Sequence, residues 1–185
     1  EFRRVLFRSG KEPLSLILNG EKLARSAYSV RTGSFDVPAS LLKTSNVIEL
    51  EFVNAFGKEG DGIQHIVDPE DGKEYIYTDF EPYAAHQLFP CFDQPDLKAR
   101  LDLKITAPAS WKAIGNELPR EEIAGPGTAE RTTTFRTTPP LSPYLFFAGA
   151  GAFEEWTDME GKIPLVIYAR KSMSKYRSEE HTSEL

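Results

Sequence analysis

The chain has 185 residues, of which 28 are acidic and 22 basic, giving a formal net charge of −6. This acidic balance, with scattered rather than clustered Lys and Arg, argues against nucleic acid as a partner, because phosphates are bound by basic surfaces. No stretch approaches the roughly 18 apolar residues of a membrane helix, so no membrane partner is expected. The single cysteine, Cys91, excludes an internal disulfide and favours a reducing, cytoplasmic compartment.

The two ends of the chain are related at the level of codons. One DNA sequence that encodes EFRRVLFRS (residues 1–9) also encodes RSEEHTSEL (residues 177–185) when it is read as its reverse complement. An inverted pair of this kind resembles a translated sequencing adaptor, and such segments are excluded from reasoning about the fold. We therefore expect one partial domain over residues 10–176, flanked by adaptor-like ends.

Alternation of apolar and polar residues predicts that the chain is built from strands. Asn19-Gly20 is typical of a two-residue hairpin turn between Pro13–Leu18 and a return strand near Lys22–Tyr28. The polar segment Pro119–Ala129 is predicted to be a surface loop. The remaining predicted strands are Asn46–Phe56, Ile63–Val67, Tyr75–Phe80, Ala99–Ala107, Arg131–Thr138 and Ile163–Ala169, and Tyr144–Phe153 is predicted to be a buried run.

No predicted helix exceeds about two turns, and the sequence contains no internal repeat. The fold class is therefore all-β, as a sandwich or a curved, saddle-like pair of sheets. Gly149 and Gly151 lie inside a buried run, which indicates either a bulge or the close approach of another backbone there.

An acidic strand end offers the strongest candidate site. Asp79 and Glu81 close the strand Tyr75–Phe80, and Pro82, which has no N–H to donate, stops the ladder. Because residues i and i+2 of a strand point to the same face, we expect the two carboxylates to converge on one cation. Two solvated carboxylates at a strand end are the alternative. A glycosidase pair is disfavoured, because neighbours on one strand do not flank a scissile bond from opposite sides.

The other candidates have simpler structural interpretations. Cys91, between aromatic and proline neighbours, is predicted to be a core cysteine rather than a nucleophile. His86 is expected to make a structural hydrogen bond, and Asp93 and Asp96, which flank Pro95, are expected to fix a turn rather than bind metal. Three tyrosines either line a cleft or pack in the core, namely Tyr75, Tyr77 and Tyr83.

The segment YTDFEPYAAHQLFPCFDQPDLKARLDLKITAP, with GIQHIVDPEDGKEYI before it and SPYLFFAGAGAFEE after it, resembles the N-terminal β domain of the aminopeptidase N and leukotriene A4 hydrolase family of zinc aminopeptidases. The resemblance runs from roughly Val47 to Arg170 and implies an all-β domain that caps a thermolysin-like catalytic domain. It implies that the parent protein is a metallopeptidase, a hydrolase that removes N-terminal amino acids from peptides.

The resemblance also implies a substrate-binding role for Glu81 and Asp79. In the family, a Gln-x-Glu triplet at a strand end helps to bind the free α-amino group of the substrate, and the aligned triplet here is Asp79-Phe80-Glu81. Glu81 matches, whereas Asp79 departs from glutamine. An aspartate still accepts hydrogen bonds from an ammonium, although it adds a charge and has a shorter reach.

The family's zinc ligands are not in this sequence. They form a His-Glu-x-x-His motif on a helix plus a later glutamate, whereas His65 and His86, the histidines outside the adaptor-like ends, lack this pattern. We therefore expect no catalytic or metal-binding residue in this fragment, which should be inactive alone, and expect zinc in a missing catalytic domain. The implied partners are that domain and the peptide substrate's N-terminus. The alternative is a non-catalytic scaffold or interaction module of the same family.

Overall fold

The computed structural model describes residues 5–6, 14–31, 34–57, 60–125, 127, 129–158 and 165–176. Helical structure in these ranges is limited to 3₁₀ segments at Arg25–Ala27, Ala39–Leu41, Ala85–Gln87, Pro143–Leu145 and Lys171–Tyr176. The strands are β1 (Val5–Leu6), β2 (Ser15–Leu18), β3 (Glu21–Lys22), β4 (Ser29–Arg31), β5 (Ser34–Asp36), β6 (Ile48–Glu51), β7 (Gly62–Val67), β8 (Glu74–Asp79), β9 (Lys104–Pro108), β10 (Lys112–Gly115), β11 (Pro119–Ala124), β12 (Glu130–Phe135), β13 (Ala148–Gly151), β14 (Phe153–Asp158) and β15 (Leu165–Arg170).

The predicted all-β class is confirmed. The strands form a four-stranded sheet in the order β10-β13-β8-β7, three-stranded sheets in the orders β11-β12-β9, β3-β2-β6 and β1-β5-β4, and the pair β14-β15. Every pairing with a defined register is antiparallel. In the described part of the chain, no helix is long and apolar enough to span a bilayer.

The chain divides into two compact units. The first unit comprises Glu1–Gln64, Thr78–Leu101 and Pro139–Phe146, and the second comprises His65–Tyr77, Asp102–Thr138 and Phe147–Leu185. The first unit contains two clusters of buried apolar side chains. One cluster consists of Leu16, Leu18, Tyr28 and Val37, and the other, called here the Phe80 cluster, consists of Phe80, Ala84, Ala85 and Phe146.

The predicted hairpin at Asn19-Gly20 is confirmed. Asn19 and Gly20 both have positive φ angles, 54° and 85°, as a tight two-residue turn requires. The return strand is only Glu21–Lys22, because the chain turns into a 3₁₀ segment at Arg25–Ala27 instead of remaining extended to Tyr28. The strand predicted over Asn46–Phe56 is likewise shorter and covers Ile48–Glu51.

The surface loop predicted over Pro119–Ala129 is wrong in its first half. Residues 119–124 form β11, which pairs with β12 from Pro119↔Phe135 to Ala124↔Arg131. All six residues of β11 are exposed, so the strand has no apolar alternation to reveal it. Its stability comes from backbone pairing, which leaves little trace in the sequence pattern.

The strand predicted over Ala99–Ala107 is also only partly correct. Burial alternates along residues 101–108, as the sequence indicates, but the ladder begins at Lys104. Ala99 forms an isolated antiparallel bridge with Leu141, through two backbone hydrogen bonds of 2.9 Å. Alternation therefore predicted which side chains are covered but not which backbone groups are paired.

The close backbone approach predicted at the glycines is confirmed at Gly151, which pairs with Tyr75 in the four-stranded sheet. A Cβ at position 151 would lie 2.8 Å from the carbonyl oxygen of Glu74 and 2.9 Å from Cδ1 of Tyr75. Any side chain here would displace β8, so the sheet requires glycine at this position.

The adaptor-like ends fall mainly outside the described residues. At the N-terminal end, only β1 is described, and its Val5 and Leu6 pair with Phe35 and Ser34. Residues 177–185 lie wholly outside the described ranges. The boundaries of the partial domain at residues 10 and 176 remain a prediction.

Candidate functional site

The acidic strand end lies where β8 gives way to a turn. Asp79 is the last residue of β8, and Glu81 is the first residue of the turn that follows. Phe80, between them, is 3% exposed and packs in the Phe80 cluster, whereas Asp79 and Glu81 are both exposed. Both acidic residues are therefore accessible to solvent, and the convergence of their carboxylates on one cation stays a prediction.

Local hydrogen bonds close this turn. The backbone N–H of Ala84 donates to the carbonyl oxygen of Phe80 at 2.9 Å, which makes residues 80–84 a closed five-residue turn. The N–H of Glu81 lies 3.4 Å from Oδ1 of Asp79, a long hydrogen bond. The Glu81 carboxylate has no hydrogen bond or ion pair to any described residue, so its acceptor capacity is available to a ligand.

The segment after the turn is held from several sides. Ala84 and Ala85 are 2% and 0% exposed, so they anchor the 3₁₀ segment Ala85–Gln87 in the Phe80 cluster. The Asn54 side-chain amide donates to the carbonyl oxygens of Gln87 and, at 3.1 Å, Leu88. Asn54 lies more than 30 positions earlier in the chain, so no local signal in the sequence indicated this contact.

His86 and Asp93 form a second restraint on the same segment. Asp93 is only 2% exposed, and its Oδ2 accepts from Nδ1 of His86 at 2.7 Å and from the His86 backbone N–H at 3.1 Å. A carboxylate accepts only, so Nδ1 carries the proton. The predicted structural hydrogen bond of His86 is thus confirmed.

The prediction that Asp93 fixes a turn needs correction, because its buried carboxylate holds His86 instead. Asp96 does lie in a turn after Pro95, which is closed by a hydrogen bond of 3.0 Å from the Leu97 N–H to the Gln94 carbonyl oxygen.

Cys91 is partly buried and packs against the Phe80 cluster. Burial, reinforced by the nearby charge of Asp93, raises the pKa of its thiol to about 12. The reactive thiolate is therefore scarce near neutral pH, which supports the prediction of a core cysteine over a nucleophile.

The three candidate tyrosines have different environments. Tyr75 is 1% exposed, donates to the Ala152 carbonyl oxygen at 3.3 Å and accepts from the Lys171 N–H at 2.9 Å, so it is a core residue of the second unit. Tyr77 is partly buried in β8. Tyr83, two residues after Glu81, is 50% exposed, and its ring centroid lies 4.8 Å from that of His86.

Within the described ranges, no three or more His, Cys, Asp or Glu side chains are grouped so that they could hold a metal ion. His65 instead lies 2.9 Å from the carboxylate of Glu74, on the neighbouring strand of the same sheet. The described residues therefore do not fit a zinc ion, and what the acidic strand end can do is bind a cation.

Comparison with known proteins gives a consistent result. The family model described as the Peptidase M1 N-terminal domain matches residues 21–145. An aminopeptidase N of Streptomyces lividans is 31% identical over 163 residues, which are 86% of this chain and 18% of that protein. A leucyl aminopeptidase of Saccharolobus solfataricus is 32% identical over 169 residues, which are 89% of this chain and 20% of that protein.

A solved structure has the same fold. In the crystal structure of Legionella pneumophila aminopeptidase A in complex with aspartic acid, the matching region has a TM-score of 0.77 and 17% identity. It covers 92% of this chain and 20% of that one. The chain thus spans about a fifth of the length of these relatives.

Proposed function

Because the chain belongs to the Peptidase M1 N-terminal domain family, we propose that it is part of an aminopeptidase in which Glu81, assisted by Asp79, binds the free α-amino group of a peptide substrate. The observation that carries this proposal is that the exposed Glu81 carboxylate, which has no partner among the described residues, lies in a turn that is closed and restrained by buried neighbours. A binding group held in this way needs little reorganisation when a ligand arrives.

The negative charges of Glu81 and Asp79 favour an ammonium group as the ligand. An ammonium and a carboxylate about 4 Å apart attract by about 1 kcal/mol in bulk water and by about 4 kcal/mol at an effective dielectric near 20, before desolvation is counted. Glu81 and Asp79 are exposed in this chain, so the weaker value applies until other parts of the protein exclude water. Closure of the site by the rest of the polypeptide would therefore strengthen the contact.

This role explains how an aminopeptidase would select the end of a peptide. Carboxylates that bind a charged α-amino group give no such contact to an internal or acetylated residue, so the first peptide bond is placed at a fixed distance from the anchor. The residues described here bind and orient the substrate. The zinc ion that the family resemblance implies would be held elsewhere and would supply bond cleavage.

The direct test uses Glu81→Ala and Glu81→Gln in the full-length protein. A charge-assisted hydrogen bond is worth about 1.5–3 kcal/mol, so kcat/KM for aminoacyl-anilides should fall about 10- to 100-fold in Glu81→Ala, mainly through KM. Glu81→Gln should retain part of the binding, since its amide oxygen still accepts a hydrogen bond. Unchanged kinetics in both variants would refute the anchor.

A second candidate function is a non-catalytic scaffold, and the substitution of Asp79 for the family's glutamine is the feature that favours it. Anilide hydrolysis by the full-length protein that a chelator abolishes and added zinc restores would exclude the scaffold. A full-length protein that binds no zinc and hydrolyses no anilide would establish it.

A further inference from the structure

Tyr83 is an exposed aromatic residue that also contacts a neighbouring ring. Half of its surface is open to solvent, yet its ring lies 4.8 Å from the His86 ring, centroid to centroid, with 42° between their planes. Aromatic side chains, tyrosine among them, are enriched at binding surfaces relative to the rest of a protein surface. The amine-anchoring role proposed for Glu81 does not use this residue.

The support beneath the ring is rigid. His86 cannot swing away from Tyr83 freely, because its Nδ1 and its backbone N–H are both bound to the buried carboxylate of Asp93. A tyrosine has only two side-chain torsions, so a ring already in contact with a held neighbouring ring loses little further entropy when a ligand contacts it. The Tyr83 and His86 rings, held by the Asp93 carboxylate, therefore form a prearranged aromatic surface.

This surface lies beside the proposed amine anchor. Glu81, Pro82 and Tyr83 are the exposed residues of the five-residue turn whose ends, Phe80 and Ala84, are buried. Glu81 and Tyr83 are two residues apart along the chain, so their Cα atoms are at most about 7.6 Å from each other. A group bound to Glu81 is therefore within reach of the long side chain of Tyr83.

We propose that Tyr83 is a specificity-determining residue that contacts the side chain of the substrate's first residue and favours a cationic one, lysine or arginine. This inference rests on the proposed function, since it takes Glu81 as the site of the α-amino group. The face of an aromatic ring attracts cations, and a planar guanidinium stacks on it.

The charges near the anchor support the same preference. Asp79 and Glu81 carry two negative charges, and a single α-ammonium neutralises one of them. A lysine or arginine side chain over Tyr83 supplies the second positive charge, whereas a glutamate or aspartate side chain is repelled. The expected order of preference is basic, then neutral, then acidic first residues.

The test measures kcat/KM of the full-length protein for arginyl-, lysyl-, leucyl- and glutamyl-p-nitroanilides. Wild type should prefer the two basic substrates to leucyl and should cleave glutamyl most slowly. Tyr83→Thr should reduce the arginyl-to-leucyl ratio about three- to tenfold, as expected for a lost cation–π contact, and Tyr83→Phe, the matched control, should keep the ratio within about twofold. Because the ratio is taken within one preparation, it does not depend on the folded fraction of a variant.

An unchanged arginyl-to-leucyl ratio in Tyr83→Thr, or a wild-type preference for glutamyl, would overturn the inference and leave the anchor intact. Glu81→Ala separates the two claims, because it should weaken all four substrates, including leucyl and glutamyl, whereas Tyr83→Thr should act mainly on the two basic ones. If Glu81→Ala changes no substrate, or if wild type hydrolyses none of the anilides, the proposed function fails and this inference fails with it.

Discussion

Two carboxylates at the ends of neighbouring strands have opposite environments. Asp68, directly after β7, is 2% exposed and accepts from the Ser172 hydroxyl at 2.6 Å and the Glu70 N–H at 2.9 Å, with the Arg170 guanidinium 3.3 Å away. Asp79, at the end of β8, is exposed and has one long contact of 3.4 Å. Glu81 after it has no described partner for its carboxylate.

The difference separates an acid that is bonded inside the fold from acids that are exposed at a strand end. The pKa of Asp68 lies below its usual value, mainly because the Ser172 hydroxyl and the Glu70 N–H donate hydrogen bonds to its carboxylate. The positive charges of Arg170 and Lys175 lower this pKa further, whereas burial acts in the opposite direction. Its acceptor positions are used inside the second unit, where they tie the turn after β7 to the C-terminal 3₁₀ segment. The carboxylate of Glu81 makes no such contact to any residue that the structure describes, so the proposed function has it bind an ammonium.

The largest expected effect on stability is that of Asp68→Ala. Its removal leaves the Ser172 hydroxyl and the Glu70 N–H without their acceptor and Arg170 without its counter-charge, which is a recognised cause of severe destabilisation. We expect the apparent Tm of the full-length protein to fall by about 5 °C or more. Thermal unfolding followed by circular dichroism measures this.

Glu81→Gln is the matched control for Asp68→Ala. It should leave the apparent Tm within about 1 °C of wild type, because an exposed side chain with no partner among the described residues contributes little to stability. Equal losses in the two variants would contradict the distinction between the two acids.

The next effect concerns the stability of the protein at low pH. Because the folded-state pKa of Asp68 is lowered, its contribution to stability is complete above the unfolded-state pKa of about 3.9 and is lost as the pH falls through the folded-state value. Asp68→Asn should therefore show a smaller loss of Tm than wild type between about pH 5 and pH 3. Glu81→Gln should follow the wild-type profile, and an unaltered profile in Asp68→Asn would exclude this role.

A moderate effect is expected at His86, a positioning residue for the turn that carries Glu81. His86→Ala removes both the ring contact with Tyr83 and the side-chain donor to Asp93, so KM for anilides should rise about three- to tenfold with a smaller change in kcat. His86→Arg, which can still donate to Asp93, should restore much of the loss. A fall in kcat alone, without rescue by arginine, would indicate a merely structural residue.

The smallest effect is expected for Asp79→Gln. A glutamine still accepts hydrogen bonds from an ammonium but removes one negative charge, so KM for leucyl-anilide should change by less than about threefold. Because the missing charge matters more for cationic side chains, the arginyl substrate should lose more than the leucyl substrate. Identical changes for both would indicate that the charge of Asp79 is screened from the substrate.

Local patterns predicted much of this architecture. The alternation of side chains from Tyr75 to Phe80 predicted β8 to within one residue at each end. The dipeptide Asn19-Gly20 predicted the hairpin turn in the same way. Both signals depend only on residues that are adjacent in the sequence. The edge strand β11 was missed because its exposed residues carry no apolar period.

The restraints on the candidate site were not predictable in the same way. Asn54 contacts residues 33 and 34 positions later, and Ser172 contacts Asp68 across 104 positions. Such contacts depend on how distant segments meet in the folded chain, which no local period records. The His86–Asp93 pair, only seven positions apart, was predicted in part, as a hydrogen-bonding histidine without its partner.

The most direct test of the amine anchor is a crystal structure of the full-length protein with a free amino acid or a slowly cleaved peptide bound. The account predicts that the ligand's α-amino nitrogen lies within about 3.2 Å of a carboxylate oxygen of Glu81, at hydrogen-bonding distance. An α-amino group bound elsewhere, with the Glu81 carboxylate turned to solvent or paired with another part of the protein, would contradict it.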